Sequence, residues 1–133
     1  MHSSVLKVET GHRLITDVTR HARDACQGRG DGLVNLFVPH ATCGLALIEV
    51  GSGSEEDLAG ILNNVLPPDD RYSHRHGTPG HGRDHVLPAF VSPSLSIPML
   101  GGQPQLGMWQ SIVIVDTNMD NHTRTLRISI LAG

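Results

Sequence analysis

Ser111-Ile112-Val113-Ile114-Val115-Asp116 is the stretch that decides the fold. A strand points successive side chains to opposite faces. An unbroken apolar run of this kind therefore needs cover on both sides. The remaining segments have to supply that cover. Residues 126–131 alternate, with Leu126, Ile128 and Ile130 on one face and Arg127 and Ser129 on the other, as a half-buried strand does. Residues 33–38, 45–50, 86–91 and 95–99 read as further strands. Residues 5–9 and 12–15 read as two more around a tight turn at Thr10-Gly11, and Gly101-Gly102 marks a hairpin turn. Two helices complete the set. One carries Val18, Ala22 and Ala25 between a Thr16 N-cap and Gly28. The other follows Ser54, places Glu55, Glu56 and Asp57 at its positive end, aligns Leu58, Ile61, Leu62 and Val65 and stops at Pro67-Pro68. Strands outnumber helices and do not alternate with them, which predicts an α+β domain spanning residues 1–133.

The chain is 133 residues long, which fits one domain. Its formal net charge is −3 with only ten Lys and Arg, which argues against a nucleic-acid partner held through phosphates. No apolar run approaches the roughly 20 residues of a membrane span. Residues 1–9 lack the basic start and apolar middle of an export signal, and Cys26 and Cys43 read as reduced thiols. The expected location is therefore the cytoplasm. Aromatic residues are only 3% of the chain, so the core has to be aliphatic. Oligomerisation is one way to enlarge such a core.

Chemistry concentrates in the histidines, nine in all, with four between positions 74 and 85. Neutral imidazole binds zinc and similar metals and titrates near neutral pH. His74 and His76 share a face if that stretch is extended. His81 and His85 would pair on a helix, but Gly77, Pro79, Gly80 and Gly82 argue against one, so His76 and His81 read singly as solvated loop residues. His40 and His85 each sit where a strand meets a loop, a common place for a site. Glu49 interrupts an apolar strand and needs a partner or a role as a general base. Cys43 reads as a buried apolar residue in preference to a nucleophile. Gln110 has an amide able to orient a ligand, and Arg124 is either a surface charge or an anion anchor.

The order of Leu36-Phe37-Val38-Pro39-His40-Ala41-Thr42, Ile48-Glu49, Tyr72-x-His74, His85, Ile97-Pro98 and Leu106-Gly107-x-Trp109-Gln110 resembles the YjbQ-like family. This family is also called UPF0047 and is linked to a secondary thiamine-phosphate synthase activity. The resemblance implies a two-sheet β-sandwich with two helices, assembled as a homotrimer. It implies a polar, metal-holding pocket in which His40, His74 and His85 ligate a divalent ion. Zinc suits those ligands, and magnesium suits a synthase reaction. Thr42, Glu49 and Gln110 are then the catalytic candidates, and Trp109 and Arg124 the candidates for contacting a small, phosphorylated substrate. Where the family usually has Asn four residues before the later His, this chain has His81, which adds a ligand or alters selectivity. Three functions compete: joining a pyrimidine pyrophosphate to a thiazole phosphate, metal-dependent hydrolysis, and non-catalytic binding of a metabolite or metal.

Overall fold

The computed structural model describes residues 1–75 and 77–133. Strand β7 (Ser111–Asp116) runs antiparallel between β2 (Ile15–Asp17) and β4 (Cys43–Ile48) at the centre of a three-stranded sheet. A second, five-stranded antiparallel sheet uses β1 (His2–Glu9), β3 (Gly32–Phe37), β5 (Ser94–Leu100), β6 (Gln103–Pro104) and β8 (Thr123–Ala132). Its order is β1-β8-β3-β5-β6.

The apolar run of β7 is covered on both sides. Ile112 and Ile114 join Leu36, Ile97, Leu126 and Ile128 in a core shared by the two sheets. Val113 and Val115 point the other way, into a second core with Leu62, Leu66 and Leu87. That second core is closed by helix α2 (Ser54–Val65) and the short helix α3 (Leu87–Phe90). Helix α1 (Thr19–Cys26) gives Ala22 and Cys26 to the first core. Both cores are aliphatic: Phe37, Phe90 and Trp109 are exposed and Tyr72 is half-buried. Each Val, Leu or Ile so buried contributes about 1.5–3 kcal/mol of transfer free energy.

Several local expectations are corrected. Residues 86–91 are not a strand. Leu87–Phe90 is helical, with Pro88 in the first turn, where its missing N–H costs no bond. Residues His81–His85 form a 3-10 turn despite Gly82 within it and Gly80 before it. The described helices are therefore three and not two. Thr10-Gly11 turns the chain from one sheet into the other and makes no hairpin, since β1 pairs with β8 and β2 with β7. Helix α1 begins at Thr19, whose N–H is taken by Asp17 Oδ1 at 2.9 Å. Helix α2 buries Leu62 and leaves Ile61 and Val65 exposed. Gly101-Gly102 does join β5 to β6 as expected.

One glycine fixes how the sheets meet the helices. A Cβ at Gly44 would lie 1.9 Å from the Val91 carbonyl oxygen. Only glycine lets β4 press against the segment after α3, where Leu45 N–H donates to Ser92 O at 2.8 Å. No helix among the described residues is long and apolar enough to cross a membrane.

Candidate metal centre

Three histidines converge where the segment after α2 meets the 3-10 turn. The Tyr72 hydroxyl donates to Pro67 O at 2.8 Å. Asp70 Oδ1 accepts the Gly80 N–H at 2.9 Å, which secures the entry to the turn. Gly80 itself has φ +79, a conformation glycine adopts without strain. Gly82 then lies against the preceding strand of loop: a Cβ there would be 2.7 Å from Tyr72 Cβ and 2.8 Å from His74 O. The glycines that weaken a regular helix are what allow this close approach.

The result brings His85 over His74, with ring centroids 3.7 Å apart. His81 sits 4.6 Å from the His85 ring and 5.4 Å from the His74 ring. One ring nitrogen from each of the three lies within 4.8 Å of the others. His81 Nε2 and His85 Nε2 are 2.6 Å apart. A tetrahedral zinc ion with Zn–N bonds near 2.05 Å holds two ligand nitrogens about 3.3 Å apart. The pair has to open by less than an ångström to accept one, a movement within the reach of side-chain rotation. An all-imidazole set suits zinc and related ions better than magnesium, which prefers oxygen ligands. A cleft of about 300 Å³ opens over the cluster, lined by His74 and His81 together with Asp70, Arg75 and Thr78.

A polar chain runs from the cluster into the protein, with Asp120 at its exposed end and Asp84, Asn118, Asp116 and Arg124 buried. His81 Nδ1 faces Asp120 Oδ2 at 2.9 Å. Asp84 accepts the Thr117 hydroxyl at 2.6 Å and Asn118 Nδ2 at 3.0 Å. Asn118 N–H donates to Asp116 Oδ1 at 2.9 Å. Asp116 in turn takes two bonds from Arg124, Nε to Oδ2 at 2.7 Å and Nη2 to Oδ1 at 2.9 Å. Arg124 Nη2 also donates to the Thr42 hydroxyl at 2.9 Å.

The group brings together His74 and His85, two of the three histidines named from the sequence, with His81 in the place of His40. His40 is engaged elsewhere: its Nε2 accepts the Thr125 N–H at 2.9 Å. Burial pushes the His40 pKa down, and the Arg124 cation adds to that, so the ring stays neutral and acts as an acceptor. Arg124 is no surface anchor. It is 2% exposed and committed to Asp116. Thr42 is buried as its partner. Gln110 Oε1 accepts the Gly107 N–H at 2.8 Å and shapes the turn into β7. Trp109 is 69% exposed. Glu49 follows β4, half-buried, and is not part of the histidine group. Burial pushes the Cys43 thiol up to about 12, so it stays protonated at neutral pH and packs as a small apolar residue. Both cysteines are free and buried. His76 lies outside the described residues. Sequence reasoning missed Asp84, Asn118 and Asp120 as supports. The four-residue spacing of His81 and His85 was the available signal for the third histidine.

Two antiparallel sheets, helices packed on two separate cores and a histidine cluster where the segment after α2 meets the 3-10 turn define the class of this domain. The chain belongs to the UPF0047 protein YjbQ-like family, whose model matches residues 4–133. It is 56% identical over 133 residues to the UPF0047 protein Rv2556c of Mycobacterium tuberculosis, with both chains fully covered. Among solved structures, it is similar to the hypothetical protein APE1520 of Aeropyrum pernix K1. There the TM-score is 0.88 at 27% identity, with 100% of each chain covered. A YbjQ-like protein of unknown function from Sulfolobus solfataricus P2 shares the fold with a TM-score of 0.90 at 21% identity, over 99% of this chain and 97% of that one.

Proposed function

We propose that the protein binds a divalent metal ion, zinc first, through His74, His81 and His85, and uses it on a small phosphorylated substrate in the overlying cleft. The observation that carries this reading is the set of three imidazole nitrogens within 4.8 Å of one another. Three protein ligands leave a fourth position open, as catalytic zinc sites do. A metal there supplies Lewis acidity toward a phosphoryl or carbonyl oxygen and lowers the pKa of water. Arg75 gives the cleft a cation suited to an anionic group. The imidazole donor set favours hydrolysis of a phosphoester or amide. Joining a pyrimidine pyrophosphate to a thiazole phosphate, the thiamine-phosphate synthase reaction, is the second reaction to assay. A homotrimer is part of the proposal, supported by the exposed apolar side chains of Met108, Trp109 and Phe90. Two buried free thiols fit a reducing compartment such as the cytoplasm.

The test compares protein as purified, stripped by chelator and reloaded with zinc, on a phosphoester and amide panel and on the two thiamine precursors. Turnover is expected to vanish on stripping and to return on reloading. Melting should shift by the binding linkage, about 2.7 kcal/mol at a free metal concentration 100-fold above Kd. Turnover indifferent to chelator overturns the catalytic role of the metal. Retained metal with no turnover replaces the enzyme by a metal- or metabolite-binding protein.

A further inference from the structure

We propose that Asp120 is the positioning residue that commits His81 to metal binding, by holding the Nδ1 proton so that Nε2 turns a lone pair into the cluster. This rests on the metal reading above and adds a residue to it. The argument is geometric. His81 has only two ring nitrogens, and they face different partners. Nε2 points at His85, 2.6 Å away. Nδ1 points at Asp120 Oδ2, 2.9 Å away, with Asp84 Oδ2 further off at 3.5 Å. A carboxylate only accepts, so Nδ1 carries the hydrogen and Nε2 is left as the donor to a metal. Carboxylate–histidine–metal arrangements of this kind fix the ring tautomer and raise its basicity.

The surroundings separate Asp120 from its neighbours. Asp84 is nearly enclosed and already accepts Thr117 and Asn118, so it is a structural brace. Asn118 also approaches His81 Nδ1, at 3.2 Å through Nδ2. That nitrogen carries two hydrogens, one of which goes to Asp84 Oδ2 at 3.0 Å. At Nδ1 the nearer partner is the Asp120 carboxylate at 2.9 Å, and the Asp84 carboxylate at 3.5 Å adds to it, so two acceptors face one donor. The other end of the Asn118 amide explains why it cannot turn over. Its Oδ1 accepts Asp120 N–H at 2.9 Å, Asn121 N–H at 3.0 Å and Asn121 Nδ2 at 2.9 Å. Asn118 therefore builds the turn that presents Asp120. Asp120 has a side chain 30% exposed, against 9% for His81. It contacts the imidazole from the solvent side and can be replaced without opening the core.

The experiment measures zinc affinity by competition with a chromophoric chelator, together with the visible spectrum of the cobalt-loaded protein. Asp120→Ala is expected to weaken zinc binding about 10–100-fold and to change the cobalt spectrum, while the metal-free melting temperature stays put. Asp120→Asn, which keeps an acceptor oxygen, should recover most of the affinity. In a His81→Ala background, Asp120→Ala should cost nothing further, because the ring it positions is gone. An Asp120→Ala affinity within twofold of a zinc-binding wild type overturns the proposal. So does an undiminished loss in the His81→Ala background. Wild type that binds no zinc overturns the metal reading itself, which is a different outcome.

Discussion

Replacing Arg124 by alanine is expected to destabilise the fold by about 3–5 kcal/mol, the usual cost of stripping one partner from a buried ion pair. For a chain of this size that is a fall in Tm of roughly 10–20 °C. The reason lies in what remains. Asp116 is 5% exposed and meets Arg124 through two bonds, so alanine leaves a carboxylate enclosed with, among the described residues, only the Asn118 N–H to face it. The Thr42 hydroxyl loses its donor in the same step. A double variant, Arg124→Met with Asp116→Asn, should regain part of the loss, because the amide oxygen still accepts Asn118 and no charge is buried. Denaturant midpoints of the three proteins check this. A loss below 1 kcal/mol for Arg124→Ala contradicts the buried pair and would return Arg124 to the role of a surface anion anchor.

Gly82→Ala is expected to strike the site and the fold together. A Cβ at this position meets Tyr72 Cβ at 2.7 Å and His74 O at 2.8 Å. One of these contacts is a backbone atom, so no side-chain rotation relieves it. Overpacking of this sort costs about 1–3 kcal/mol. Here the displaced parts are the segment bearing His74 and the turn bearing His81 and His85. Relief of the clash moves His74 away from the other two. Zinc affinity should fall with stability, and added zinc should restore less of the Tm than it adds in wild type. An alanine variant with wild-type melting and wild-type zinc affinity would contradict the close approach on which the cluster depends.

The central strand was the most legible part of the molecule. Four apolar residues in sequence require two covered faces, and Ile112 to Val115 meet two separate cores. The alternation of residues 126–131 placed Leu126, Ile128 and Ile130 inward for the same reason. Residues 81–90 were illegible, because their conformation is set from a distance. Gly and Pro lower helix propensity locally, yet the turn is held by Asp70 and Tyr72, which local pattern does not connect to it. His40 shows the same limit. Its partner is a backbone amide 85 residues away on β8, which nothing near Pro39-His40 announces. His74 and His85 stood out in the sequence as members of the histidine-rich segment, and the family resemblance named them as ligands. His81 was visible as a four-residue partner of His85 and, standing where the family usually has Asn, as an added ligand, while its glycine neighbours argued for a solvated loop.

The most direct test of the metal site is elemental analysis of untagged protein, in moles of metal per chain, for wild type and for His74→Ala, His81→Ala, His85→Ala and His40→Ala. Wild type is expected to hold close to one zinc per chain. The three cluster variants should lose it, and His40→Ala should keep it while losing about 0.5–1.5 kcal/mol of stability with its hydrogen bond. Metal retained in His81→Ala and lost in His40→Ala would contradict the site described here, as would a wild type that holds no metal after zinc supplementation.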